Sequence, residues 1–363
     1  MSDPGGLGAD PMGGQAQGAG PGTGPEGSPA AIALTPLIAG AYRTAELERI
    51  AAASPGSRLV SVSADGVPDG PLDDVEVLLL GIMPSETMER ILARAPQVRW
   101  IHSATAGVER VLTPTVRSRR IVVTNARGVF SVPIAEYVVL MILAVCRRLP
   151  QLLDLQRERT WQPLEGVELR DVTVGIVGLG SIGRAIAALL APFGTRVVAV
   201  RRHPDAGAAP AGETLPDEIV GARPAWVSGP EGLPALLAES DFVVLTLPLT
   251  PQTENLMNEE RLGLMKPGAW LVNIARGRLV DERALVRALR QGPLGGAVLD
   301  AFREEPLPPT SPLYGLPNVI LTPHTSWASG RVRERTIALF CANLERFRRG
   351  APLLNVVDVE AGY

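Results

Sequence analysis

The chain has 363 residues, of which 46% are hydrophobic and 20% charged, and a formal net charge of −3. That length accommodates two domains, each with its own core, and the charge balance gives no electrostatic reason to expect nucleic acid or an anionic membrane as a partner. Cys146 and Cys341 stand far apart in apolar patterns, and the three histidines form no HExxH, so neither a disulfide framework nor a metal site is expected.

Residues 1–30 are mostly Gly, Pro, Ala and Ser and are predicted to form a disordered tail. The tail lacks the basic start and apolar middle of a signal peptide, and two buried, inert thiols suit a reducing compartment, so the cytoplasm is the expected location. The longest apolar run, 137–146, is too short to cross a bilayer. From Ala31 onward, aliphatic runs at 34–38, 59–62, 75–82 and 98–102 alternate with helical patterns at 44–53 and 86–95, the mark of a parallel sheet covered by helices. A small-residue loop, 103–108, then leads toward another helix. Its backbone N–H groups could hold a carboxylate, or it is an ordinary βα turn. After a strand at 121–124, Ser131 is predicted to cap a long apolar helix with Pro133 in its first turn. That helix runs to about Arg148 and is closed by Pro150, with a polar connector through Trp161.

The second half opens on the strand at Val172, followed by a helix to Phe193 and a strand at 195–200. A Pro/Ala/Gly-rich stretch, 204–232, reads as an exposed excursion with one short strand. Helices at 233–239, 261–265 and 282–291 alternate with strands at 241–247, 269–273, 296–299 and 319–321. A final amphipathic helix covers 330–349, and residues 353–357 could rejoin the first sheet.

The strand at Val172 feeds the turn Gly178-Leu179-Gly180-Ser181-Ile182-Gly183. Gly178 permits a tight turn, Gly180 lets a pyrophosphate approach the backbone, and Gly183 lets helix and strand pack closely. The free N–H groups of the helix start face the anion. An acidic residue at the end of the next strand would hold the ribose hydroxyls of NAD, but Arg201 and Arg202 stand there instead. Two guanidiniums suit a 2'-phosphate, so the reading leans to NADP(H), with NAD(H) still open.

Arg276, Glu305 and His324 each fall in a loop just after a predicted strand of this half. Together they suit reduction of a 2-keto acid: the arginine binds the carboxylate and polarises the carbonyl, the histidine supplies a proton, and the glutamate orients the imidazole. Singly, each has a plainer reading as a surface ion pair, a solvated loop charge or a structural histidine. Asp300, at a strand end, is a helix cap or a nicotinamide contact.

The runs Met265-Lys266-Pro267-Gly268-Ala269, Leu271 to Gly277, Leu279 to Glu282, and Gly296 to Phe302 with Glu305-Pro306-Leu307 resemble the D-isomer-specific 2-hydroxyacid dehydrogenases. The likeness extends over nearly everything after Ala31, including the glycine turn and Pro323-His324. It implies an α/β fold of two doubly wound parallel-sheet domains, a Rossmann cofactor domain (150–326) inserted into a flavodoxin-like substrate domain (31–149 and 327–363). It also implies a homodimer joined through the cofactor domain. By position, Arg276 matches the substrate arginine, Glu305 the catalytic carboxylate and His324 the acid/base. Ala106 and Gly107 match the carboxylate-binding backbone; Ser181 and Ile182 match pyrophosphate contacts, and Asp300 the carboxamide contact. Leu247, Pro248, Thr253 and Ala275 fall in the family's other cofactor-contacting segments. Glu305 stands where formate dehydrogenases of the superfamily have glutamine, which disfavours that branch. The absent acid at Arg201 resembles NADP-dependent glyoxylate/hydroxypyruvate reductases, so NADPH-linked reduction of a small 2-keto acid to a D-2-hydroxy acid is expected. Oxidation of another small anion, such as phosphite, and a cofactor-sensing corepressor are the rivals. Trp327 and Met83 are candidate pocket walls.

Overall fold

The computed structural model describes residues 30–37, 40–204, 224–360 and 362. Nearly all of the predicted disordered tail, and residues 205–223 of the predicted excursion, lie outside them.

The first sheet is built from β1 (Ala31–Leu34), β2 (Arg58–Ser61), β3 (Val75–Leu80), β4 (Trp100–Ser103) and β5 (Val122–Thr124), in the order β2-β1-β3-β4-β5. The second comprises β6 (Thr173–Val177), β7 (Arg196–Val200), β8 (Trp226–Ser228), β9 (Phe242–Leu245), β10 (Trp270–Asn273), β11 (Gly296–Leu299) and β12 (Val319–Leu321). Its order is β12-β11-β10-β9-β6-β7-β8. Every strand pair in both sheets is parallel. Parallel sheets are covered on both faces, which is why β1, β9 and β11 are unbroken buried apolar runs rather than alternating ones. The first order is doubly wound about β1, and the second reverses direction between β6 and β9; in such sheets ligands collect beyond the carboxyl ends of the strands.

The chain's end returns to the first sheet. The helix Val332–Arg348 buries Ile337, Phe340, Leu344 and Phe347 against Ile32, Leu34 and Trp100. Trp100 stacks on Phe340 and Phe347 with ring centroids 5.5 and 5.4 Å apart. Buried Arg333 pairs with Glu46 through two bonds of 2.6 and 2.7 Å. Val356 bridges Thr124, and the Val357 N–H donates to the Val123 carbonyl at 2.8 Å. The helix Ser131–Cys146 follows the first sheet in sequence but packs on the second: Ile134, Val138 and Ile142 share one core with Val174, Ile176 and Ile186.

Four local expectations are corrected. The strand expected at 34–38 lies at Ala31–Leu34 and does not continue through Pro36, which has no N–H for a ladder; residue 38 lies outside the described residues. No helix begins at 108; the next starts at Pro114, so the 103–108 loop is not a helix amino terminus. Ser131 is the first helical residue rather than the cap, which is Phe130, and the Ser131 hydroxyl is buried without a partner. Pro150 does not simply close a helix: Arg148 takes φ +57°, and a second helix, Leu149–Arg157, starts with Pro150 in its first turn, where a missing N–H costs nothing. Among the described residues no helix is long and apolar enough to cross a membrane.

Candidate active site

Three glycines shape the turn after β6. Gly178 has φ +107°, and a Cβ there would lie 2.9 Å from the Leu247 nitrogen. A Cβ on Gly183 would lie 2.6 Å from the Gly178 carbonyl oxygen, so helix Ser181–Leu190 can approach β6 only without it. At Gly180 a Cβ would meet nothing within 4 Å, and the backbone there is open to an approaching group. The Thr246 hydroxyl donates to the Gly178 carbonyl and ties the turn to the end of β9. A bare backbone before a helix start fits a pyrophosphate. Arg201 directly follows β7, its N–H donating to the Ser228 carbonyl at 2.9 Å, and Arg202 beside it is exposed. The loop after β9, which begins Leu247-Pro248, is braced by Thr253: its hydroxyl donates to the Pro248 carbonyl at 2.8 Å and accepts from the Thr250 N–H at 2.7 Å.

Arg276, Glu305 and His324 follow β10, β11 and β12, three neighbouring parallel strands, so the three loops emerge on one rim. Glu305 Oε2 lies 2.8 Å from His324 Nδ1, and Oε1 accepts from the Phe302 N–H at 2.9 Å. An ionised carboxylate only accepts, so Nδ1 carries the hydrogen of this bond and Nε2 is the nitrogen left for other chemistry. His324 sits at φ +49°, and its carbonyl accepts from the Trp327 indole at 2.7 Å. The Arg276 guanidinium donates to the Ala275 carbonyl at 2.9 Å and, from Nε, to Glu109 across the cleft at 3.2 Å. It lies so close to Gly107 that a Cβ there would come within 1.9 Å of Nη2. The side chains of Arg276, Glu305 and His324 are 36%, 37% and 38% exposed, packed yet open to solvent.

These groups face a cleft of about 850 Å³ between the two sheets' carboxyl ends. Of the residues singled out in the sequence, Met83, Ala106, Gly107, Ile182, Ala275, Arg276, Glu305, His324 and Trp327 line it. Gly178, Gly180, Ser181, Gly183, Arg201, Arg202, Leu247, Pro248 and Thr253 do not; they form the glycine turn, the end of β7 and the loop after β9. Asp300 is fully buried, and its carboxylate holds the 322–326 loop. Sequence reasoning passed over Glu109, one residue beyond the 103–108 loop already singled out, which accepts from Arg276, and Tyr137 in an apolar helix, whose Oη lies 2.6 Å from Thr322 Oγ1 beside the His324 loop. Cys146 and Cys341 are buried, and burial pushes both thiols up to about 11. Among the described residues no cluster of His, Cys, Asp and Glu could hold a metal ion.

Residues 139–326 match the family described as D-isomer specific 2-hydroxyacid dehydrogenase, NAD binding domain. A glyoxylate reductase of Thermofilum pendens is 36% identical over 280 residues, 75% of this chain and 78% of that protein. Among solved structures, a D-isomer specific 2-hydroxyacid dehydrogenase of Xanthobacter autotrophicus, in complex with NADPH and MES, superposes with a TM-score of 0.79 at 32% identity, covering 93% of this chain and 100% of that one. An NADPH-dependent glyoxylate/hydroxypyruvate reductase of Sinorhizobium meliloti, in complex with NADP and sulfate, gives 0.74 at 28% identity, covering 92% and 100%. A matched region spanning more than half the chain, joined to relatives above 30% identity over most of their length, places the protein: it belongs to the D-isomer-specific 2-hydroxyacid dehydrogenase family and is an NAD(P)-dependent oxidoreductase.

Proposed function

We propose that this protein reduces a small 2-keto acid to the D-2-hydroxy acid, with NADPH preferred to NADH, and that glyoxylate and hydroxypyruvate are its first candidate substrates. The observation that carries the reading is the His324–Glu305 pair at 2.8 Å facing the same cleft as Arg276. The names of the relatives support the substrate class, and Arg201 with Arg202 supports the phosphorylated cofactor.

When bound, NADPH supplies a hydride to the carbonyl carbon. Arg276 binds the substrate carboxylate and draws electron density toward the carbonyl oxygen, helped by the backbone N–H groups of Ala106 and Gly107. His324 donates the Nε2 proton to that oxygen as negative charge develops, and Glu305 stabilises the imidazolium beforehand and fixes the ring through Nδ1. One hydride and one proton enter, and a neutral imidazole is left. Gly178, Gly180, Ser181, Ile182 and Gly183 would hold the pyrophosphate. The end of the cofactor carrying the 2'-phosphate would lie at Arg201 and Arg202. Leu247, Pro248, Thr253 and Ala275 complete the proposed cofactor site, and fully buried Asp300 supports it from behind by holding the 322–326 loop. Residues 31–149 with 327–363 act as the substrate domain and 150–326 as the cofactor domain, and their closure would exclude water from the transfer. A cytoplasmic homodimer is the expected working form.

The test follows NADPH and NADH consumption with glyoxylate, hydroxypyruvate, pyruvate and bulkier 2-keto acids. His324→Ala is expected to lower kcat by roughly 10²–10⁴ while NADPH binding persists, and Arg276→Ala to lower kcat/KM by roughly 10²–10³. Near-wild-type turnover by His324→Ala would refute the proton-donor assignment. NADPH affinity without turnover on any acid would favour the cofactor-sensing alternative.

A further inference from the structure

Asp300 follows β11 with no exposed surface, so its charge must be met by protein donors. Oδ1 accepts from the Thr322 hydroxyl at 2.6 Å and the Thr325 N–H at 2.8 Å, and Oδ2 accepts from the Ser326 N–H at 2.9 Å. All three donors belong to the loop that carries His324. That loop holds His324 at φ +49°, a conformation that a side chain with a Cβ rarely keeps unless its surroundings enforce it.

A fourth group arrives from a different element. Tyr137, on helix Ser131–Cys146, places its Oη 2.6 Å from Thr322 Oγ1. The Thr322 hydroxyl has one hydrogen, and the Asp300 carboxylate takes it, so Tyr137 must be the donor of the second bond. The chain therefore runs in one direction, from Tyr137 through Thr322 to Asp300. Burial, reinforced by the Asp300 charge, pushes the Tyr137 phenol up to about 12, so it keeps its proton at any working pH. The ring itself packs against apolar neighbours that a phenylalanine would satisfy equally, which leaves the hydroxyl as the feature needing a reason.

The helix that bears Tyr137 begins where the first sheet ends, and Phe130 and Ile134 at its start line the cleft. We propose that Tyr137 is a positioning residue: through Thr322 and Asp300 it ties helix Ser131–Cys146, packed on the second sheet, to the His324 loop and sets the imidazole for proton delivery. The proposal rests on the reading of His324 as proton donor. Tyr137 touches neither substrate nor cofactor; it acts on the reaction only through the loop.

Tyr137→Phe removes one oxygen and leaves the ring. With whichever 2-keto acid turns over fastest, kcat is expected to fall about tenfold while KM for the acid and for NADPH changes less than about twofold. The imidazole NMR signals of His324, assigned by their loss in His324→Asn, should shift in Tyr137→Phe without any substrate present. Thr322→Val should fall at least as far as Tyr137→Phe, and Thr322→Ser, which keeps the hydroxyl, should restore turnover. Unchanged kcat and unmoved His324 signals in Tyr137→Phe would overturn the proposal, as would Thr322→Ser being as impaired as Thr322→Val. If His324→Asn itself stays active, the proton-donor reading fails instead, and the NMR shift still decides whether Tyr137 sets the ring.

Discussion

His102 and His324 are the same side chain in opposite surroundings. His324 is half open to the cleft and paired with a carboxylate, whereas His102 has no exposed surface and bonds Thr124 Oγ1 at 2.7 Å, between Trp100 and Phe340. Burial pushes His102 down to about 3 from its ordinary 6.5. Below pH 6.5 the unfolded chain binds a proton that the folded chain refuses, so stability falls as pH drops from 6.5 toward 3. His102→Phe should remove that term, so that urea unfolding loses about 3 kcal/mol less between pH 7 and pH 4 than in the parent protein. An unchanged pH slope would contradict it. Glu109 is the other residue-scale lesson. It sat next to a loop chosen for its backbone, yet its contact with Arg276 spans 167 positions of chain, and no local pattern records that.

The element that closes the first sheet is the helix Val332–Arg348. Its apolar spacing was plain in the sequence, but its partner was not, because Trp100 lies more than 200 residues upstream. Phe340 is fully buried against that ring, and truncating it leaves a cavity in a stacked aromatic layer. Phe340→Ala is expected to cost roughly 3–5 kcal/mol in denaturant unfolding. A loss below about 1 kcal/mol would mean the layer collapses to fill the gap. The corrected boundaries have local causes of a kind that periodicity does not weigh: a proline without an N–H at the end of β1, and a left-handed Arg148 splitting one apolar run into two helices.

On the scale of the whole molecule, helix Leu149–Arg157 buries none of its residues within the chain. Leu149, Leu152 and Leu153 are exposed on it, and Trp161 shortly after is fully exposed. Apolar groups gathered in this way suit a subunit contact. Sedimentation is expected to give twice the chain mass of 38.4 kDa, and Leu152→Glu with Leu153→Glu to give single chains. A parent protein that sediments as a single chain at micromolar concentration would remove the homodimer from the proposed function.

The sequence by itself determined the alternation of strands and helices, the glycine turn with its distinct steric demands at Gly178, Gly180 and Gly183, and the residue types near each strand end, because these follow from local sterics and periodicity. The exposure of backbone at Gly180 and the crowding at Gly178 and Gly183 were legible for the same reason. Strand order decided the rest. Only when β10, β11 and β12 lie side by side do three loops separated by nearly 50 residues bring Arg276, Glu305 and His324 to one cleft. Only folding brings Tyr137 to Thr322, a contact across 185 positions. Contacts of that range depend on the folded backbone and are not encoded in any local run of residues.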